Sequence, residues 1–129
     1  ARQLDLLIFY FAGHAEARGG HNVLLATDTD PTLPESDLLL QTVLNGLKRM
    51  AKPSAVIVVF LDACRNMTAQ TLVDAMSVPA RRNFFIAFAC APGSRAREDA
   101  VAGHGVFTKH LCSCLRPDVP LGNIIDKVR

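Results

Sequence analysis

"LDLLIFYFAGH", residues 4–14, decides the architecture. Apart from Asp5, the run from Leu4 to Phe11 is apolar. A run of this kind suits a strand covered on both faces, as in a parallel sheet with helices above and below. Gly13 and His14 follow at once, so the apolar run predicts a strand that ends at Phe11 and a turn that carries an imidazole. A central strand this near the first residue leads to the expectation of a single domain over 1–129, N-terminally incomplete and lacking its first strands.

Working outward, Gly19 and Gly20 mark a turn, and Asn22 to Ala26 reads as a short strand or hairpin arm. Pro31 and Pro34 make a loop of residues 28–35. Ser36 suits the N-cap of a helix from Asp37 to about Ala51. Within it Leu40, Val43, Leu44, Leu47 and Met50 recur at three- and four-residue spacing, and Lys52-Pro53 stops it. Ala55 to Leu61 is the clearest buried strand, β-branched and apolar throughout. Thr68 to Met76 reads as a short helix, Phe84 to Ala89 as a third buried strand, and residues 92–105 as a polar loop. Val106 to Leu115 reads as a helix, and another begins at Leu121. Strands alternating with helices predict an α/β fold, a three-layer sandwich with a mostly parallel sheet and helices on both faces.

Composition narrows the function classes. Of the 129 residues half are hydrophobic and a fifth charged, which is enough apolar material for a core. A formal net charge of +2, with the basic residues scattered, gives no footprint for nucleic acid. No apolar run approaches the roughly 20 residues of a membrane span, and no signal peptide opens the chain. The spacing of Cys64, Cys90, Cys112 and Cys114 fits no zinc pattern, so they are read as thiols of a reducing, cytoplasmic compartment.

Two apolar strands lead into reactive groups, Gly13-His14 in one case and Asp62-Ala63-Cys64-Arg65 in the other. Ligand sites of parallel sheets gather beyond the carboxyl ends of the strands. If the two strands are neighbours, His14 and Cys64 stand side by side there. A thiolate is a nucleophile, and a nearby imidazole activates it for acyl transfer. Taken singly, a cysteine after a strand is commonly a small buried hydrophobe, and a turn histidine is commonly solvated. The paired positions are what favour chemistry.

"LLIFYFAGHAEARGGHNVLLATD", then "VIVVFLDACRN", then "FFIAFACAPGSRAREDAVAGHGVFTKHL" resemble the caspase-like cysteine peptidases, above all metacaspases and paracaspases. His14 precedes Cys64 by about 50 residues, the separation caspases are known for. The local caspase signature is met in part, with Asp62 where glutamine would stand and Asn66 where glycine would. The resemblance implies that Cys64 is the nucleophile, that His14 is its acid–base partner, and that the backbone N–H groups of Ala15 and Cys64 form the oxyanion hole. The family usually has glycine where this chain has Ala15. If the turn needs a positive φ, alanine distorts the hole.

The resemblance also bears on specificity. Metacaspases and paracaspases cleave after arginine or lysine through an acidic pocket. Asp28, Asp62 and Glu98 match its acidic positions, although Asp99 competes with Glu98 for the third. Carboxylates pair with a guanidinium fork, so cleavage after arginine, then lysine, is expected. The implied partner is a protein or peptide substrate. Calcium dependence and homodimerisation are both met among relatives, and no residue here signals either. No cofactor or metal site is read. His21 and His104 read as solvated loop residues, Cys90 as core, and Arg65 and Arg95 as neighbours that neutralise acids. Cys112 and Cys114, two apart on a helix, point to different faces. Gly19-Gly20 lacks the Gly-Lys-Ser/Thr of a phosphate loop. The alternatives are a catalytically inactive caspase-like scaffold or binding module, which Ala15 favours, and an unrelated α/β thiol enzyme with an unidentified third catalytic residue.

Overall fold

The computed structural model describes residues 4–30, 32–63, 83–89, 98–99 and 104–128. Its first strand, β1, runs from Leu4 to Arg18 and so continues well past Phe11. The expected turn at Gly13–Ala15 is absent. The reversal comes at Gly19 and Gly20, whose φ values of +53° and +83° supply the left-handed pair a two-residue hairpin demands. With both positive φ angles taken by glycines, residues 13–18 stay extended, and those from His14 to Arg18 pair antiparallel with β2 (His21–Leu25).

β3 (Leu38–Leu39) adds to β2, and α1 (Leu40–Met50) leads into β4 (Ala51–Ala63). β4 pairs with β1 in parallel, from Leu6↔Val56 to Gly13↔Ala63, and β5 (Phe84–Phe88) pairs with β4 in parallel. The strand order is β3-β2-β1-β4-β5. The sheet is therefore mixed: β1, β4 and β5 run parallel, and the hairpin adds antiparallel neighbours. A separate small pair joins β6 (Glu98–Asp99) to β7 (His104–Gly105). Helices α2 (Val106–Cys114) and α3 (Leu121–Val128) follow.

The alternation of β4 explains the layering. Ile57, Val59 and Leu61 point to one face, where Leu40 and Leu44 of α1 bury against them together with Leu7 and Leu24. Val58 and Phe60 point to the other, under Leu111 and Cys114 of α2 and Ile124 and Ile125 of α3. Phe107 tilts against Phe60, with ring centroids 6.5 Å apart. Both faces of β4 are covered, as its composition predicts. Leu44 is fully buried, and truncation of such a leucine to alanine typically costs about 2–5 kcal/mol.

Several expectations are corrected. β1 is covered on one face only: Leu7 is buried, whereas Leu6 and Ile8 are 48% and 51% exposed. The reason is lateral: among the described residues α2 and α3 bury their apolar faces over β4 and β5, and α2 reaches β1 through the Tyr10–Thr108 hydrogen bond, beyond Leu6 and Ile8. β5 is half-buried, since among the described residues it edges the sheet. Ser36 does not cap α1. Its hydroxyl bonds into the preceding loop, to Asp30 and Leu33, and Leu39 stands at the N-cap without a side-chain bond. Asp37 instead accepts from Arg18 at 2.6 Å, tying the hairpin to the approach of α1. Met50 is exposed, off the buried stripe. The helix expected at Thr68–Met76 lies outside the described residues. No helix among those described is long and apolar enough to cross a membrane.

Candidate active site

β1 changes partner in mid-strand. Its ladder to β4 ends at Gly13↔Ala63, and its ladder to β2 begins at His14↔Leu25. His14 is thus the first residue beyond the parallel pairing, and its side chain is exposed. Cys64, the residue after Ala63, lies outside the described residues. Ala15 is 5% exposed and sits within β1 opposite Leu24. No non-glycine residue among those described has a positive φ, so alanine meets no strain at position 15.

The acidic candidates stand in different settings. Asp28 is exposed in the turn closed by the Thr29 N–H donating to the Ala26 carbonyl at 3.1 Å. That turn follows Leu25, the partner of His14, so Asp28 lies at the same end of the sheet. Asp62 is 6% exposed near the end of β4. Its carboxylate faces the start of α2, where Gly105 at the N-cap offers no side chain to the first N–H groups. Asp62 takes that role from another strand. Its Oδ2 accepts from the Thr108 backbone N–H at 3.2 Å and also from the Thr108 hydroxyl. The positive end of the helix faces the carboxylate as well.

Gly105 is required here for space. A Cβ at that position would lie 2.6 Å from Asp62 Oδ2 and 3.1 Å from Oδ1. Gly105 also pairs with Glu98 across the β6–β7 ladder. The backbone of Glu98 is thereby brought beside the residue that roofs Asp62. Among the described residues Asp28 shares no hydrogen bond or ion pair with this group.

The remaining histidines differ from His14. His21 is exposed at the hairpin, and His104 pairs with Asp99 in β7. His110 Nε2 lies 3.8 Å from Cys114 Sγ, a histidine–cysteine pair away from the candidate site. The same Nε2 lies 3.0 Å from the Lys127 carbonyl, which can only accept, so it carries a proton and cannot take one from the thiol. Cys112 is exposed and Cys114 buried, on different faces as their spacing predicts. Among the described residues no group of three or more His, Cys, Asp and Glu converges as a metal site.

Thr108 and Tyr10, which no motif singles out, join the site in the fold. Tyr10 Oη lies 2.6 Å from Thr108 Oγ1, which links β1 to the Asp62 cluster. The available signal was "GVFT": a helix that starts on a bare glycine needs an acceptor from elsewhere. A family model for the caspase domain matches residues 1–129. No curated protein matches the chain.

Proposed function

The chain belongs to the caspase-domain family, and from that membership we propose a cysteine endopeptidase of metacaspase or paracaspase type, cleaving proteins after arginine and then lysine. Membership gives the coarse chemistry, a cysteine-peptidase domain whose substrate is protein. The finer reading assigns roles. His14 takes the Cys64 proton, the sulfur attacks the scissile carbonyl carbon, and a thioester forms. The C–N bond breaks as His14 returns the proton to the leaving amine. Water then hydrolyses the thioester to the free acid and the thiol. The N–H groups of Ala15 and Cys64 bear the oxyanion, and Asp62, with Asp28 and Glu98, receives the basic side chain.

One observation carries the reading. The parallel register pairs Gly13 with Ala63, so the residue before His14 lies opposite the residue before Cys64. Adjacent parallel strands sit about 4.8 Å apart, a spacing that suits side chains meant to exchange a proton. The test is a fluorogenic peptide with arginine before the scissile bond. Cys64→Ala and His14→Ala each lower kcat/KM by at least about a hundredfold, the scale of lost acid–base catalysis. Equal turnover by wild type and Cys64→Ala overturns the peptidase reading. Peptide binding without turnover by the wild type selects the inactive scaffold.

A further inference from the structure

We propose that Thr108 is a specificity-positioning residue: it fixes the Asp62 carboxylate so that Oδ2 is held by α2 and Oδ1 faces the basic side chain of the substrate. The inference rests on the peptidase reading above and deepens it.

Proton counting fixes the direction of the hydrogen-bond chain. A carboxylate oxygen only accepts, so the Thr108 hydroxyl donates to Asp62 Oδ2. That hydroxyl has a single proton. In the 2.6 Å contact between Tyr10 and Thr108, Tyr10 is therefore the donor. The chain runs Tyr10 O–H to Thr108 O–H to Asp62, joining β1, α2 and β4, and successive bonds in such a chain polarise one another. With the Thr108 backbone N–H added, Oδ2 has two donors from one residue. Among the described residues Oδ1 accepts no hydrogen bond. A Cβ at Gly105 would lie 3.1 Å from Oδ1 and 2.6 Å from Oδ2, so the glycine lets the start of α2 close onto the carboxylate. Gly105 has φ −64°, which any residue adopts, so clearance and not backbone freedom explains the glycine.

A carboxylate so held presents one oxygen in one direction. Removing the hydroxyl leaves the charge in place and frees its orientation, which weakens ground-state binding of a basic side chain and leaves the acyl-transfer groups untouched.

The experiment compares wild type, Thr108→Val and Thr108→Ser on peptides with arginine, lysine or glutamine before the scissile bond. Binding of the arginine peptide is measured in parallel by calorimetry on Cys64→Ala proteins with the same position-108 changes. Thr108→Val raises KM for the basic peptides about tenfold, the scale of a hydrogen bond to a charged group, with kcat within about twofold. The glutamine peptide is unaffected, the Kd shift matches the KM shift, and serine restores both. Thermal unfolding shows that each variant is folded. A Thr108→Val loss shared by basic and glutamine peptides, or one that serine fails to restore, overturns the inference. Turnover with no position-108 effect removes the inference alone. Binding with the effect but without turnover removes the peptidase reading alone. Absence of both binding and turnover removes both.

Discussion

Ala15 shows how a single residue's meaning depends on the local backbone. In the sequence it stands where relatives of the resembled family carry glycine, and a turn there would penalise it. The strand runs straight through, so alanine is at ease and buried. Ala15→Gly is therefore expected to leave kcat/KM within about twofold and to lower stability by about 0.5–1 kcal/mol, from the added chain entropy. A peptidase assay paired with a urea melt checks both numbers. A large gain in activity would mean that the site does need a left-handed residue at 15. The acids were partly legible. Asp62 was visible at the end of an apolar strand, but its engagement by Thr108 was not. A contact between residues 46 apart leaves no periodic trace, and only a capless helix start hinted at it. Tyr10 read as one more apolar strand residue, because a phenol's hydroxyl finds its partner in three dimensions.

The hairpin and helices were legible as elements, less so at their limits. Apolar spacing located α1 and a β-branched apolar run located β4, and each of these, like α2 and α3, buries a stripe or face against a neighbour. The end of β1 was misplaced. Gly13 and His14 resemble turn residues, and nothing local says that β2 will take over as partner. The start of α1 slipped for a related reason, as Ser36 has a loop of its own to satisfy. The hairpin makes a sharper prediction. Gly20→Ala forces alanine to φ near +83° and is expected to destabilise by about 1–2 kcal/mol. Gly19→Asn, suited to the first position of this turn, leaves stability nearly unchanged. Chemical denaturation of the two variants decides the matter. Equal losses would place the reversal elsewhere.

At the scale of the molecule, the sheet was expected to be mostly parallel and is mixed, because the Gly-Gly hairpin turns β1 back on itself before the first crossover. The same strand leaves Leu4, Leu6 and Ile8 exposed in a row. Contiguous apolar surface beside a strand that is incompletely paired among the described residues favours association. The 129-residue chain is expected to self-associate as its concentration rises. Leu6→Lys with Ile8→Lys shifts it towards monomer in sedimentation velocity, whereas an unchanged distribution would show that the row takes no part. The partner exchange in β1 has one more consequence. In an extended chain successive amides point to opposite sides. From Leu6 to Gly13 the stitching is to β4, and from His14 to Arg18 it is to β2, on the other side. Deuterium uptake along β1 should thus alternate between slow and fast, and the odd–even phase of that alternation should invert at His14, so the solvent itself would mark the candidate catalytic position.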